Sequence, residues 1–254
     1  MTPQPGKRDR SRHTGLARVL SKLGYCSRSQ ASEFIRAGRV KLNGVVRRDP
    51  ETPAHLADDK ITVDERPVKA SKKRYFILNK PRGVVTTAAD EKGRATVYEY
   101  LPKTLSWLAP VGRLDKASEG LLLLTNDSEW AARISDPETH LDKTYHVQIR
   151  AVADEALLRA LRDGVAAKDG DSLAVKRADV LRQGERNSWL EIVLDEGKNR
   201  QIRRMLEHLN IEVLRLVRVA IGPLVLGQLA KGQSRELSPE EQALLTRAMS
   251  GPGN

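Results

Sequence analysis

Apolar residues near the start of the chain recur three and four positions apart, which is the spacing of one face of a helix. Leu16, Val19, Leu20 and Leu23 follow this spacing, and Gly24 stands where a helix C-cap is expected. The pattern predicts a first short helix that buries one face and ends at Gly24.

A second helical pattern begins at Ser27, a residue type that is preferred at the N-cap of a helix. Ala31, Phe34 and Ile35 share the apolar face that follows, and Gly38 ends the pattern. The sequence therefore predicts two consecutive amphipathic helices.

A short hairpin is predicted directly after these helices. Residues 40–45 contain a strand, the dipeptide Asn43-Gly44 and a returning strand, and Asn-Gly is favoured in two-residue hairpin turns. Two helices and a hairpin make a small domain over residues 15–68. Residues 69–74 are basic and weakly apolar and are interpreted as a linker, and residues 1–14 as a disordered basic tail.

The patterns after residue 74 predict strands and short helices in mixed order. Strands are expected at residues 75–79, 121–124, 143–149, 173–180, 188–194 and 213–219, and helices at 128–135, 153–163 and 200–209. Strands and helices do not alternate steadily, as they would in a parallel sheet, so the predicted fold class is α+β. A second domain is expected over residues 75–242, followed by a flexible tail over residues 243–254.

Charge is the most informative feature of the composition. The 254-residue chain has a formal net charge of +11, and 39% of its residues are hydrophobic, enough to build a core. A globular protein this basic favours a polyanionic partner, with nucleic acid as the leading candidate. The alternative is a basic protein without such a partner.

Several classes of site are not expected. Cys26 is the single cysteine, so no intrachain disulfide can form, and this agrees with a reducing, cytoplasmic location. There is no apolar run of about 18 to 20 residues for a membrane helix and no apolar segment of a signal peptide. The five histidines show no zinc-site spacing, so no metal site is predicted.

Basic residues are concentrated in the first predicted domain. Arg28 follows Ser27 at a helix N-terminus, where charge and free backbone N–H groups can both meet a phosphate. The candidate RNA-binding residues of this domain are Arg18, Lys22, Ser27, Arg28, Arg36 and Lys41.

A polar turn that runs into four leucines is the strongest candidate for chemistry. Residues 111–127 carry Arg113 and Asp115 immediately before Leu121–Leu124, a run typical of a buried strand. The end of a core strand holds a carboxylate rigidly and still leaves it accessible to a ligand, as catalysis requires. The alternative is an ordinary turn with a structural Arg–Asp pair.

The first domain resembles a known RNA-binding module. The segments Gly15-Leu16-Ala17-Arg18-Val19-Leu20, Ser27-Arg28-Ser29-Gln30-Ala31 and Gly38-Arg39-Val40-Lys41-Leu42-Asn43-Gly44 are similar to the αL module named after a small-subunit ribosomal protein, "S-four". That resemblance implies recognition of structured RNA through its shape and phosphates.

The second domain resembles the ribosomal RNA pseudouridine synthases of the RsuA/RluB/RluE/RluF family. The resemblance rests on Lys80-Pro81-Arg82-Gly83, Gly112-Arg113-Leu114-Asp115, Lys143-Thr144-Tyr145 and the third motif, Glu196-Gly197-Lys198-Asn199-Arg200-Gln201-Ile202-Arg203-Arg204-Met205-Leu206. It covers about residues 15–237 and implies a mixed, mainly antiparallel sheet with flanking helices. Related synthases often carry His or Tyr where this chain has Asn199-Arg200.

The resemblance implies specific catalytic roles. Asp115 is the essential carboxylate, and whether it attacks the anomeric carbon or removes a ribose proton stays open. Arg203 is the cation beside it, Tyr145 stacks on the base and can relay a proton, and Ile202 packs against the ring. Arg113 engages the RNA or the pocket wall.

Three further residues are assigned to the substrate site on the same resemblance. They are Lys80, Lys198 and Arg200, and for Lys80 the alternative is a structural role in its turn. The family needs no metal, nucleotide or redox cofactor. For Tyr145 the alternative interpretation is a core position in its strand. For the Arg200–Arg204 cluster the alternative is a solvated helix face.

The implied partner is ribosomal RNA in the form of a structured stem-loop, from which the target nucleotide must be extruded. Glu119 and the sequence of residues 196–201 resemble the large-subunit members of the family more closely, which favours large-subunit RNA as the substrate. A monomer is expected because the sequence shows no heptad run or large apolar patch. The rival interpretations are a non-catalytic RNA-binding assembly factor of the same fold and, with less support, a hydrolase, since Lys116 breaks the nucleophile-elbow pattern.

Overall fold

The computed structural model of this chain describes residues 14–87, 93–103, 105, 107–166 and 170–250. These residues divide into two compact units: a first unit of residues 14–73, 107–108 and 126–128, and a second unit made of the remaining described residues between 74 and 250. The tail predicted at residues 1–14 lies outside the described residues except for Thr14, which is paired in a strand with Ala54.

The first unit contains two helices and short antiparallel strands. In chain order its elements are β1 (Thr14–Gly15), α1 (Leu16–Lys22), α2 (Arg28–Arg36), β2 (Val40–Leu42), β3 (Val45–Arg47), β4 (Pro53–Ala54), β5 (Ile61–Val63) and β6 (Arg66–Pro67). Strands β3, β2, β5 and β6 form one sheet in that order, and β1 pairs with β4.

Local sequence signals account for this unit. The Ser27 hydroxyl accepts a hydrogen bond from Gln30 N at 3.1 Å, and the Gln30 side chain accepts one from Ser27 N, so a complete capping box starts α2. Asn43 and Gly44 both have positive φ, 53° and 82°, as the tight turn between β2 and β3 requires. The predicted N-cap and hairpin are confirmed.

The second unit is built on a large sheet with helices. Its strands are β7 (Tyr75–Lys80), β8 (Ala109–Val111), β9 (Glu119–Thr125), β10 (Lys143–Ile149), β11 (Val165–Ala166), β12 (Ser172–Leu173), β13 (Arg177–Gln183), β14 (Ser188–Leu194), β15 (Val213–Ile221), β16 (Leu224–Val225) and β17 (Ser234–Glu236). Its α-helices are α3 (Ser128–Ser135), α4 (Glu155–Asp163), α5 (Gln201–His208) and α6 (Pro239–Ala248). None of the helices in the described ranges is long and apolar enough to cross a membrane.

The large sheet is mixed but mostly antiparallel. Its strand order is β13-β14-β10-β15-β9-β7-β17, with β8 added beside β9 and β16 beside β15. Among these pairings, β9 with β15 is parallel and the others are antiparallel. The α+β class and the mainly antiparallel sheet are confirmed.

Strand β9 is the leucine run, and it is buried over its whole length. It lies between β7 and β15, so both its edges are hydrogen-bonded, and successive residues are buried on both faces of the sheet, so no alternation of polar residues is needed. Gly120 makes this close packing possible: its φ is +101°, and a Cβ there would lie 2.2 Å from the backbone oxygen of Arg218. The start of β9 is therefore fixed against β15.

The C-terminal segment differs from the prediction. Residues 243–248, expected to be part of a flexible tail, belong to α6, whose Leu245 is fully buried and is followed by a buried Met249. Ser238 and Glu241 form a capping box at its start. The flexible-tail prediction is wrong for these residues because burial of apolar side chains against the core around Trp130 fixes them; residues 251–254 lie outside the described ranges.

Candidate active site

A cavity of about 620 Å³ opens in the second unit where the turn before β9 meets strands β10 and β15 and the start of α5. Its volume is that of a small-ligand site. Six of the eight residues predicted for catalysis and substrate binding lie on its wall: Arg113, Asp115, Tyr145, Lys198, Arg200 and Ile202. The structure thus brings together motifs that are far apart in the sequence.

Asp115 lies in the turn between β8 and β9, and its side chain is one-third exposed. Its Oδ2 is 3.3 Å from Nη1 of Arg200. Arg200 is the N-cap of α5 and has a left-handed backbone, with a φ of 50°, which is uncommon for a residue with a side chain. This conformation accompanies the ion pair with Asp115, and both residues line the cavity.

Arg203, predicted as the cation beside Asp115, lies close enough for the two charges to interact, but its hydrogen bond goes to the backbone of the turn. Arg203 is half-buried, and its Nη2 donates a hydrogen bond to the backbone oxygen of Ala117 at 3.0 Å. Burial first, then the charge of Arg200, lowers the pKa of Arg203, while the nearby charge of Asp115 opposes that shift. Arg203 therefore braces the turn of Asp115 and adds positive potential, and the direct ionic contact belongs to Arg200.

Lys80 is fully buried at the end of β7. Its Nζ donates to the backbone oxygens of Pro81, Asp115 and Ser118, at 3.0, 3.2 and 2.8 Å. Burial lowers the pKa of Lys80 to about 8, against the opposing charges of Asp115 and Glu119. Because an ammonium has three protons and all three are donated to the protein, Lys80 has none left for a substrate. The structural alternative for Lys80 is the one that this geometry supports.

Two backbone contacts that sequence patterns did not reveal also hold the turn. The Thr86 hydroxyl donates to the backbone oxygen of Leu114 at 2.9 Å, and Gly83 N donates to the backbone oxygen of Lys116 at 2.7 Å. The segment after β7 is therefore hydrogen-bonded to the residues immediately before and after Asp115. Such contacts depend on tertiary placement, so no local motif could have identified them.

Tyr145 occupies a half-buried position on β10. It packs against the core cluster of the β10, β14 and β15 strands and also lines the cavity. The core alternative and the ligand-facing role are thus compatible, because one side of the ring can pack while another borders the cavity.

The wall of the cavity is rich in positive charge. Five cationic residues, Arg113, Lys143, Lys198, Arg200 and Arg218, line it together with two carboxylates, Asp115 and Glu196. Lys198 pairs with Glu196 at 3.1 Å. Lys143 and Arg218 were not predicted as site residues, and the signal that could have found Lys143 is its place in the Lys143-Thr144-Tyr145 motif. Such a wall suits an anionic nucleotide.

Burial and ion pairing fix Glu119 outside this cavity. Burial would raise its pKa, but hydrogen bonds from Arg215 and Lys231 outweigh that effect and the pKa is lowered. Both cations lie within 3.0 Å of its carboxylate. Glu119 is thus committed to holding β9 against β15. No cluster of potential metal ligands occurs in the part of the chain that the structure describes.

The RNA-binding candidates of the first unit differ in their exposure and in the side-chain contacts that they make. Arg18, Arg28 and Arg36 are exposed on the two helices, whereas Lys41 pairs with Glu65 at 2.6 Å. The Ser27 hydroxyl is used by the helix cap. Three of the predicted residues on α1 and α2 therefore present exposed guanidinium groups.

Comparisons with known proteins agree with both units. Residues 74–208 match the family model described as RNA pseudouridylate synthase, and residues 14–61 match the S4 domain. The sequence is 36% identical over 239 residues to ribosomal large subunit pseudouridine synthase B of Bacillus subtilis, covering 94% of this chain and 97% of that protein.

Two further similarities cover nearly the whole chain. An uncharacterized RNA pseudouridine synthase of Aquifex aeolicus is 38% identical over 233 residues, covering 91% of this chain and 93% of that protein. The crystal structure of a pseudouridylate synthase has a TM-score of 0.64 and 30% identity, covering 91% of this chain and 99% of that one. This chain therefore belongs to the RNA pseudouridylate synthase family and carries an S4 domain at its N-terminal end.

Proposed function

We propose that this enzyme converts a uridine of large-subunit ribosomal RNA into pseudouridine, with Asp115 as its essential carboxylate. The observation that carries the proposal is the placement of the Asp115 carboxylate, ion-paired to Arg200, on the same cavity wall as Tyr145. The choice of ribosomal RNA follows the names of the Bacillus subtilis relative and of a Pseudomonas aeruginosa relative with the same name at 37% identity.

The chemistry needs no net addition to the nucleotide. The bond from C1′ to N1 breaks, the uracil turns, a bond from C1′ to C5 forms, C5 loses its proton and N1 gains one. A carboxylate at the ribose and a proton acceptor at the base are sufficient groups for this exchange. Asp115 and Tyr145 supply them, and the two roles considered for Asp115 remain part of the proposal.

The turn of Asp115 is held before substrate arrives. Lys80, Thr86 and Arg203 donate to backbone oxygens on either side of Asp115, so its carboxylate is preorganised. Preorganisation matters because a fixed charge stabilises a transition state without a reorganisation cost. Ile202 is one of the apolar residues of the cavity wall, against which a pyrimidine ring can pack.

The target base must leave its stack to enter the cavity. The wall residues surround a volume that fits one nucleotide and not a duplex, so the uridine is extruded, which costs least in a stem-loop. We assign the positioning of that RNA to exposed cations of the S4 domain, among them Arg18, Arg28 and Arg36. A stem-loop substrate, a monomeric enzyme and a cytoplasmic location are parts of the same proposal.

The rival proposal, an RNA-binding factor without catalysis, lacks support. Such a factor has no need for a rigid carboxylate, a tyrosine and an apolar wall on one cavity, all of which this chain retains.

The test is pseudouridine mapping on unmodified ribosomal RNA, read as reverse-transcription stops after carbodiimide treatment. The wild type is expected to produce a new stop on large-subunit RNA, and Asp115→Asn is expected to bind the RNA and produce none. Binding without any stop from the wild type would favour the non-catalytic rival, and a stop on small-subunit RNA would overturn the choice of subunit.

A further inference from the structure

Arg218 is a buried cation in the cavity wall whose hydrogen-bonding capacity is largely unused. It lies on β15, retains 6% exposure and lines the cavity with Asp115 and Tyr145. Its Nε donates to the backbone oxygen of Leu121 at 2.8 Å, whereas its buried Nη2 has no hydrogen-bond partner among the described residues. A buried guanidinium that is not paired is costly, so a site of this kind is expected to receive an acceptor from a ligand.

The carboxylates near Arg218 are engaged by other cations. Asp115 pairs with Arg200, and Glu196 pairs with Lys198. The neighbouring Lys143 adds a second positive charge, and burial first, then the charge of Arg218, lowers the pKa of that lysine. The inner wall of the cavity is therefore electropositive without an internal counter-ion hydrogen-bonded to Arg218.

The register of the sheet places Arg218 next to the tyrosine. Tyr145 on β10 pairs directly with Arg218 on β15, so the two side chains are neighbours on one face of the sheet. Gly120 fixes the depth of Arg218, because only a residue without a Cβ can approach the Arg218 backbone so closely. A base that stacks on Tyr145 will therefore have an edge beside the guanidinium.

We propose that Arg218 binds the uracil ring through its carbonyl oxygens and stabilises the negative charge that the ring carries after it leaves the ribose. This inference rests on the proposed function. When the bond from C1′ to N1 breaks, its electron pair stays with the uracil and is shared between N1, O2 and O4. The guanidinium offers N–H donors to these oxygens. Formation of the bond from C5 to C1′ then neutralises the ring, and C5 loses its proton as N1 gains one.

The symmetry of uracil strengthens this assignment. A half-turn about the axis through N3 and C6 exchanges N1 with C5 and O2 with O4. A donor fixed in the wall can thus hold O2 before the turn and O4 after it, which retains the free ring in the cavity while it reorients. A backbone phosphate does not suit this position equally well, because Arg218 is almost fully buried beside the tyrosine that meets the base.

The first experiment compares Arg218→Met with Arg182→Met, a matched control that removes an exposed guanidinium from β13. Unmodified ribosomal RNA labelled with tritium at C5 of uridine releases tritium when C5 bonds to C1′. We expect the single-turnover rate of Arg218→Met to fall by about 10²- to 10³-fold, with RNA affinity within about twofold and an unchanged or higher thermal midpoint. Arg182→Met is expected to match the wild type.

Each other outcome identifies a different error. An unchanged rate for Arg218→Met, or weaker RNA binding with a normal rate at saturation, overturns the inference and in the second case indicates a phosphate contact. A loss of rate that follows a lower thermal midpoint shows a structural residue. Absence of tritium release by the wild type overturns the proposed function, and the inference with it.

A second measurement changes the substrate, because a residue with only a structural role would not respond to the replacement of a single atom of the base. Once the target uridine is mapped, a minimal RNA with 2-thiouridine at that position replaces O2 by a weak acceptor. The wild type is expected to slow on this RNA, whereas Arg218→Met shows no additional slowing. Equal slowing of both enzymes contradicts a bond from Arg218 to O2.

Discussion

The end of strand β7 and the middle of strand β15 each bury a cation beside the turn of Asp115, but the two cations are treated differently. Lys80 on β7 donates all its protons to backbone oxygens. Arg218 on β15 makes a single hydrogen bond to Leu121 and leaves Nη2 without one among the described residues. A buried cation whose donors are all hydrogen-bonded to the protein stabilises the structure, whereas one with unused donors can bind a ligand.

The difference predicts that removing Lys80 and removing Arg218 will affect the free energy of unfolding and the catalytic rate in different proportions. Removal of Lys80 uncovers three backbone oxygens, so both folding and catalysis should suffer. Removal of Arg218 takes away a desolvated charge with one hydrogen bond, so catalysis should suffer alone.

Lys80→Met should give the largest combined effect. Three carbonyl groups lose their donor, so the free energy of unfolding is expected to fall by about 2–3 kcal/mol and the single-turnover rate by roughly 10²-fold as the Asp115 turn shifts. Chemical denaturation and tritium release measure the two quantities on one preparation. Normal stability with a lost rate would place Lys80 beside Arg218 as a substrate-binding group.

The pKa of Lys80 adds a pH signature to the same variant. The folded-state pKa is about 8 and the ordinary value is 10.5, so between these values the unfolded chain binds more protons and stability rises with pH. The free-energy difference between wild type and Lys80→Met should therefore widen from pH 8 to pH 10. A difference that stays constant over this range would mean that Lys80 is not desolvated in the folded protein.

Basic residues on the helices of the S4 domain should affect RNA binding without affecting chemistry. Replacing Arg18, Lys22 and Arg28 by Glu is expected to weaken RNA affinity by roughly 10- to 100-fold and to reduce the log–log salt slope by about 2 to 3. The rate at saturating RNA should stay unchanged. A lower rate at saturation would show that these residues do more than hold the RNA.

Arg200 and Arg203 offer the smallest expected effect. The sequence motif favours Arg203 as the partner of Asp115, whereas the observed ion pair favours Arg200. Arg200→Met removes the ion pair of Asp115 and is expected to lower the rate about tenfold, which corresponds to about 1.4 kcal/mol. Arg204→Met, on the same helix and paired with Asp171, serves as the control. A larger loss for Arg203→Met than for Arg200→Met would restore Arg203 as the principal partner of Asp115.

Much of the fold was predictable because its signals are local. The Ser27 cap, the Asn43-Gly44 turn and the leucine run each carry a physical rule within a few residues. The start of α6 carries an equally local signal, the capping box of Ser238 and Glu241, so this helix was also predictable.

The site was predictable in its residues but not in its contacts. Motif order identified Asp115 and Tyr145, and the cavity brings them together. The pairing of Asp115 with Arg200 depends on a left-handed residue, and the closeness of Tyr145 and Arg218 depends on strand register over a separation of many residues. Neither quantity is encoded in a short pattern, so neither could be read before the sheet was assembled.

The strand order of the large sheet has a consequence for synthesis. Among the described residues, the buried core cluster of the first unit runs from Leu16 to Val63, with Val68 packed against it. The cavity, in contrast, needs β15 beside β9, and β7 is completed by β17 at Ser234–Glu236. Because chains emerge from the ribosome N-terminal end first, the RNA-binding unit can fold while residues 74 to 236 are still being added. A nascent chain thus acquires the means to hold RNA well before it acquires the means to modify it.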